Sequence, residues 1–570
     1  MRKEFTITIT GEAGQGMQTI GMVLCGLFKN TGCHIFANQD YMSRIRGGNN
    51  FFQIRISNTP AYTLRQKFDI VVALDKNSVE IHKHKLAKNG IIIADKKQFK
   101  ILQDDIFDVP FYDIAKKYGS EIFINSVACG VVLSITGIDF KILEDSLKQA
   151  FSDKTTQIIE NNIASAKQGY DFTTQEYKQD TYKIVCCRPT KKFLMNGNDA
   201  IALGAIKAGC KFYTAYPMTP STSIMNVIAH FAKNYNIVIE QAEDEIAAIN
   251  MAIGASFAGV RSMSGTSGGG LALMVEGVSL SGMTETPVVI VDAQRPAPAT
   301  GFPTRTEQAD LNFVLHSGHG EFARAIFTPG TIEQAFYLTI KAFDIAEKYQ
   351  IPVFIMTDQH LADSYRDVIL DPNSMITKRH IIGKDESEGV NSYKRYTLTE
   401  NGISPRAIPS WIKGVIYVDS DEHTEEGHIT EDAEIRNRMV EKRFYKKMKG
   451  LMQEVQSPET YNEDAEIILV GFGSTYGVLK EACENFKEKS LGFLHLSQVW
   501  PFPSSGVISV LMKAKTIVNV ENNAGSQLGN LLFSQTGIKP DASILKFDGR
   551  PFDVDYLMEK LEKLWSKKTS

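Results

Sequence analysis

The chain has 570 residues, 43% of them hydrophobic and 22% charged, the composition of a globular protein too long for one core. A formal net charge of -4 leaves no basic excess for neutralising phosphates, which argues against a nucleic-acid partner. Its cysteines, at 25, 33, 129, 186, 187, 210 and 483, include no Cys-x-x-Cys pair, so neither a zinc ribbon nor a complete iron–sulfur ligand set is expected.

The first region, about residues 1–185, alternates strand and helix patterns. It opens without an apolar signal core on a strand over 5–10, then the turn Gly11-Glu12-Ala13-Gly14-Gln15-Gly16 and a helix over 17–29. Apolar runs at 69–74, 90–94 and 122–125 read as buried strands, and the polar stretch 167–183 as a linker. A second region, about 186–365, has strands expected at 211–215, 236–239, 287–291 and 352–356, with helices at 224–231, 244–257 and 271–281. Residues 366–460 turn charged and read as a connector and surface excursion, with a strand at 410–418 and a basic helix near 435–449. From 461 a third region follows: strand 466–470, turn Gly471-Phe472-Gly473-Ser474, helix 476–486, strand 516–521 and an amphipathic helix over 554–565. The fold class is therefore α/β, with three doubly wound domains. No segment reaches the length of a membrane span, and a cytoplasmic protein with reduced thiols is expected.

Several turns between these elements could carry chemistry. Gly11, Gly14 and Gly16 open a helix whose first amides can hold a phosphate, but a dinucleotide fingerprint read from Gly14 has Thr19 in place of its third glycine. Arg44 and Arg46 flank a flexible turn, suited to an anion, a partner subunit or a local salt bridge. Tyr216-Pro217-Met218-Thr219-Pro220-Ser221-Thr222 joins a strand end to a helix start, where Thr219 or Ser221 either caps the helix or holds a substrate carboxylate. Glu245 begins a helix that continues in small and apolar residues, so its carboxyl is expected at the buried end as a candidate proton handler. Ser264-Gly265-Thr266-Ser267-Gly268-Gly269-Gly270 reads as a turn made for close approach of a ligand to the backbone. Arg295 and Arg305 lie in a long Pro/Gly/Thr loop, where either could grip a carboxylate bidentately or be held by local ion pairs. His316 and His319 have no carboxylate or cysteine cluster beside them, and no metal site is expected.

Tyr216 to Thr222, Glu243-Asp244-Glu245-Ile246-Ala247-Ala248, Ser264 to Gly270 and Pro303-Thr304-Arg305-Thr306-Glu307-Gln308 together resemble the alpha subunit of 2-oxoacid:ferredoxin oxidoreductases. The Gly11 turn and Arg44-Ile45-Arg46-Gly47-Gly48 resemble the gamma domain of the same enzymes, so nearly the whole chain resembles the fused gamma–alpha type. The resemblance implies a gamma-type domain at 1–185, a thiamine diphosphate pyrimidine-binding domain at 186–365 and a transketolase C-terminal-like domain at 461–570. It implies CoA-dependent oxidative decarboxylation of a 2-oxoacid, with 2-oxoglutarate favoured over pyruvate, branched-chain acids or indolepyruvate, and electrons passing to ferredoxin. A non-catalytic scaffolding subunit is the reading from another class. Glu245 would hydrogen-bond the aminopyrimidine and favour the imino tautomer whose nitrogen takes the thiazolium proton. Thr219, Ser221 and Arg305 would hold the substrate carboxylate, with Arg295 a second candidate. Tyr216, Pro217, Thr266, Ser267 and the glycines at 11, 14 and 16 would line cofactor. No Gly-Asp-Gly motif is present, so a separate beta subunit is implied to bring the diphosphate site, Mg2+ and a [4Fe-4S] cluster, in a dimer of heterodimers.

Overall fold

A computed structural model describes residues 3–42, 48–178, 182–184, 191–388, 393–486 and 490–568. They cluster into two compact units, one made of 1–195, 364–370 and 553–570, the other of 196–363 and 371–552.

In the first unit, Phe5, Ile7 and Ile9 alternate with Thr6, Thr8 and Thr10, and both sets are buried, as a strand covered on both faces requires. That strand, Glu4–Glu12, runs antiparallel to Asn49–Ser57 and parallel to Phe68–Ala73 at the centre of a mixed sheet. Outward from Phe68–Ala73 come Leu86–Ala94 and Ile106–Asp108; outward from Asn49–Ser57 come His34–Asp40, Tyr365–Val368 and Phe193–Met195. The distant Tyr365–Val368 strand is fixed by Asp367, which accepts from the Ile35 amide at 2.6 Å and meets Lys192 Nζ at 2.7 Å. Arg65 Nη1 lies 3.1 Å from Asp555 Oδ1, so the helix Val554–Lys568 clusters with this unit.

Two expectations fail in this unit. Residues 122–125, read as a strand, form the turn Glu121–Phe123 and the start of the helix Ile124–Thr136. The apolar run continues to Gly137, whose φ of 70° closes the helix; a short apolar run does not by itself distinguish strand from helix. Residues 167–183, read as a linker, mostly belong to the 21-residue helix Thr156–Glu176. Its polar side chains bond inward or to its own backbone, as in Ser126 Oγ to Asn162 Oδ1 and Thr173 Oγ1 to the Gly169 carbonyl, so composition alone imitates a loop.

The second unit holds two sheets. The order of the larger is Gln498–Trp500, Ala325–Phe327, Pro352–Asp358, Val288–Gln294, Arg261–Thr266, Cys210–Ala215 and Val238–Gln241. All its pairs are parallel except the one made by Gln498–Trp500. The smaller sheet runs Glu459–Tyr461, Leu491–Leu496, Ile467–Phe472, Thr516–Glu521 and Ala542–Leu545. One apolar core joins them, from Ile249, Leu271 and Val288 to Leu494, Val507 and Leu528. The parallel strands open their C-terminal ends on one side, where ligand loops of α/β sheets lie.

Here too the chain departs from expectation. Part of the 264–270 stretch, read as a turn, is the end of the central strand Arg261–Thr266, which is wholly buried despite its polar sequence; Gly268 already starts the next helix. Residues 410–418 form no strand, only the turn Pro409–Trp411. The basic helix runs as Ala433–Val440, a π-helical stretch Glu441–Lys446, and Lys447–Leu451; two of its lysines, Lys442 and Lys447, are buried rather than solvated.

Candidate active site

At the end of Cys210–Ala215, the turn folds on itself: Ser221 donates both N–H and hydroxyl to the Met218 carbonyl, at 2.9 and 2.8 Å. Ser221 therefore stands at the N-cap of the helix Thr222–Tyr235 without capping it through its side chain. Asn198 Nδ2 pins the turn from below by donating to the Pro220 carbonyl at 2.8 Å. Arg295 Nη1 pins it from the side by donating to the Thr219 carbonyl, also at 2.8 Å. Tyr216, by contrast, is 41% exposed.

The neighbouring strand end closes on the same turn. Ser267 Oγ lies 2.8 Å from Met218 Sδ, with Thr266 Oγ1 at 4.0 Å. Behind it, Asp244 caps the helix Glu245–Phe257 by accepting from Ala247 N at 2.7 Å, which turns the next carboxyl inward. Glu245 is buried, and its Oε1 has no hydrogen-bond partner. Gly270 makes room for it: a Cβ there would lie 2.6 Å from Glu245 Oε1 and 2.1 Å from Thr266 Oγ1. Thr219, Arg295, Thr266, Ser267 and Glu245 thus belong to one contiguous set.

Arg305 is placed differently. It is buried, its N–H bonds the Phe302 carbonyl at 3.0 Å, and its stem packs beside Gly549. Three residues on, Gln308 stitches the loop to the smaller sheet: Nε2 donates to the Phe472 carbonyl at 2.9 Å and N–H to the Asn522 carbonyl at 2.7 Å. Asn523 Nδ2 donates to the Gln308 carbonyl at 3.0 Å.

Sequence reasoning missed two acids in this set. Asp292 follows Val288-Val289-Ile290-Val291 in a wholly buried strand and stands in register with Thr266. Asp310 closes the Arg305 loop, and a Cβ on Gly268 would lie 2.4–2.6 Å from its carboxyl atoms. The Asp310 carboxyl therefore fills the N-terminus of Gly268–Met283, where a helix favours an anion. The available signal was a lone aspartate directly after four apolar strand residues. Burial pushes Asp292 well above the carboxylate range and Asp310 up to about 6, the latter opposed by Arg295; burial and Asp310 together raise Glu307 to about 7.

Gly11, Gly14 and Gly16 lie in the first unit. Gly14 and Gly16 have φ of 93° and 78°, in the region that favours glycine. The turn is partly satisfied from within, since the Gln15 side-chain oxygen accepts from Glu12 N at 2.8 Å. Beside it is a cavity of about 620 Å3 lined by Glu12, Asn49, Asp75, Asn77 and Glu80 among others, an acidic wall rather than a phosphate cradle. Arg44 and Arg46 fall outside the described residues. Among those residues, no helix is long and apolar enough to cross a membrane.

Comparisons with known proteins converge on one family. Profiles described as pyruvate ferredoxin/flavodoxin oxidoreductase, its thiamine diphosphate-binding region and pyruvate:ferredoxin oxidoreductase core domain II match residues 6–172, 203–442 and 465–542. A 2-oxoacid:ferredoxin oxidoreductase subunit alpha from Sulfolobus sp is 32% identical, the match covering 98% of this chain and 96% of that one. A 2-oxoglutarate synthase subunit KorA from Methanocaldococcus jannaschii is 36% identical over 58% of this chain and 88% of its own. A solved 2-oxoglutarate:ferredoxin oxidoreductase from Magnetococcus marinus, with 2-oxoglutarate, coenzyme A and succinyl-CoA bound, superposes with a TM-score of 0.90 at 28% identity, covering 99% of this chain and 100% of that one. The chain belongs to the family of 2-oxoacid:ferredoxin oxidoreductase alpha subunits.

Proposed function

We propose that this subunit holds the pyrimidine half of a thiamine diphosphate site in a cytoplasmic enzyme that converts a 2-oxoacid, 2-oxoglutarate foremost, and coenzyme A to acyl-CoA and CO2. A beta subunit carries the diphosphate contacts, Mg2+ and a [4Fe-4S] cluster, and ferredoxin takes the electrons.

The observation that carries this reading is Glu245, a buried carboxyl with an unpartnered oxygen. An isolated buried carboxyl of this kind is costly unless a ligand completes its hydrogen bonding, and an aminopyrimidine ring nitrogen bearing a proton fits it. Two further features agree. The helices Glu245–Phe257 and Gly268–Met283 have one charged residue each, yet Ile246, Met251 and Leu273 are exposed, so an apolar face awaits a partner. The N-terminus of Gly268–Met283 is already filled by the Asp310 carboxyl, which leaves no room there for a diphosphate and fits its being held by the other subunit.

Bound there, thiamine diphosphate would supply the nucleophilic carbon and the electron sink for decarboxylation. The chain's own groups do the rest. Glu245 would hydrogen-bond the ring nitrogen and so set the cofactor's tautomer, while Thr266 and Ser267, with Tyr216 and Pro217, line the ring. Thr219, braced by Arg295 through its carbonyl, Ser221 and Arg305 position the substrate carboxylate.

The test is methyl-viologen reduction with 2-oxoglutarate, pyruvate or 3-methyl-2-oxobutanoate plus coenzyme A and thiamine diphosphate. Activity is expected only with the beta subunit present, and Glu245→Gln in the complex should lower kcat about 10²–10⁴-fold. Turnover by this chain alone, or full turnover by the variant complex, would refute the proposal.

A further inference from the structure

The loop that carries Arg305 is held by the smaller sheet of its unit. In that sheet Ile467–Phe472, Thr516–Glu521 and Ala542–Leu545 are parallel neighbours, so their C-terminal ends share the edge at which α/β sheets take ligands. Here the chain fills that edge itself. At the end of the first strand, the Phe472 carbonyl accepts from Gln308 Nε2 at 2.9 Å. Past the second, Gln308 and Asn522 exchange a pair of bonds: the Gln308 amide donates to the Asn522 carbonyl at 2.7 Å, and the Asn522 amide to Gln308 Oε1 at 3.2 Å. Beyond the third, the Gly549 carbonyl accepts from the Thr306 amide at 3.4 Å, and a Cβ on Gly549 would lie 3.3 Å from Arg305 Cβ.

The seat is shaped for the Gln308 side chain. Gly473 has a φ of 55°, and a Cβ there would lie 2.7 Å from Gln308 Nε2. Asn523, which donates to the Gln308 carbonyl, also donates to Glu521 Oε2 at 2.7 Å. Glu521 is wholly buried and accepts from the Leu528 and Gly529 amides, at 2.8 and 3.0 Å, where the helix Gln527–Thr536 begins. Gln308 is wholly buried too, so an apolar side chain in its place would leave the Phe472 carbonyl and the Asn522 amide unpaired.

The larger sheet holds the same segment from its other side. Thr306 Oγ1 donates to Asp358 Oδ1 at 3.3 Å and accepts from the His360 amide at 3.2 Å, at the end of Pro352–Asp358. Arg305 thus stands next to a stretch fixed to both sheets. An arginine grips a carboxylate bidentately only when its fork is held in one direction, and its long side chain takes that direction from its backbone.

Resting on the reading of Arg305 as a holder of the substrate carboxylate, we propose that Gln308 is its positioning residue, through which the smaller-sheet domain takes part in binding the 2-oxoacid. Arg305 grips the substrate before any bond changes, so loosening it weakens binding first: KM rises while kcat falls little.

The test is steady-state turnover of the alpha–beta complex with 2-oxoglutarate, or with the 2-oxoacid it turns over best, in a double-mutant cycle. Gln308→Met keeps the length of the side chain and loses both of its bonds. It should raise KM for the 2-oxoacid about tenfold, with kcat within about threefold and KM for coenzyme A unchanged. Arg305→Gln alone should raise KM further. In that background Gln308→Met should add nothing, because its effect runs through Arg305. An unchanged KM in Gln308→Met, or the same factor in both backgrounds, overturns the proposal and leaves the role of Arg305 intact. An unchanged KM in Arg305→Gln removes that role and this proposal together. Where Gln308→Met does not fold, Gln308→Asn, which keeps the amide but withdraws it from the Phe472 carbonyl, is read in the same cycle.

Discussion

A methyl group added at Gly270 would stand 2.1 Å from the Thr266 hydroxyl and 2.6 Å from Glu245 Oε1, so both side chains would have to move. Neither has much room, because both are buried. Gly270→Ala should therefore leave the fold in place and lower kcat by about 10²-fold, the usual consequence of displacing a reacting group by an ångström. Circular dichroism and steady-state rates on the complex check this; unchanged kcat would show that the position of Glu245 is not tuned by its neighbour. At this scale the sequence was informative where a residue type was improbable for its surroundings. A carboxylate heading an apolar helix pointed to Glu245. The same logic applied to Asp292 inside Val288–Gln294 would have found the second acid, but Asp310 sits in an ordinary-looking loop and only its approach to Gly268 gives it meaning.

Among elements, the helix over 433–451 shows what composition conceals. Its basic run reads as a solvated face, yet Lys442 and Lys447 are fully buried, both on the carboxylate of Glu285, at 2.5 and 2.6 Å. Arg395 adds bonds nearby, to the Glu285 carbonyl at 2.6 Å, to Gln350 Oε1 at 2.8 Å and to the Thr284 carbonyl at 3.5 Å. One carboxylate cannot balance two ammonium groups in a place without water. Burial accordingly pushes Lys447 down to about 7, against the pull of Glu285. Glu285→Gln strands two buried lysines and should cost about 3–5 kcal/mol of stability, whereas Lys447→Met should cost far less. Urea unfolding midpoints decide, and equal losses for the two would show that both lysines are charged in the folded chain. The partner lies 157 residues from Lys442, so no local pattern could have revealed the pairing. The strand expected at 122–125 failed for a different reason: three apolar residues fit either period, and only the capped end at Gly137 decides for helix.

For the molecule as a whole, the alternation of strand and helix was enough to recover the α/β class and the parallel sheet around the candidate site. Sheet membership was not recoverable, because strands as short as Gln498–Trp500, Phe193–Met195 and Tyr365–Val368 carry almost no period of their own. The apolar face left by Ile246, Met251 and Leu273 makes a prediction about assembly. Leu273→Asp lies one helical turn from Gly270 and on the exposed side, so it should leave thermal stability of the isolated chain unchanged and abolish co-elution with the beta subunit. Co-elution at wild-type affinity would place the partner elsewhere.

The N-terminal sheet is closed by strands from 193–195 and 365–368 and joined by the helix Val554–Lys568. During synthesis this sets an order of events. The first residues to leave the ribosome cannot finish their own sheet until the Tyr365–Val368 strand has emerged, and they gain their last helix only after 553–568. Until then His34–Asp40 is an open edge, able to pair with any passing strand. The interval between is filled by the larger unit, which must fold while its neighbour waits, so the part of this chain that is made first is the last to be complete.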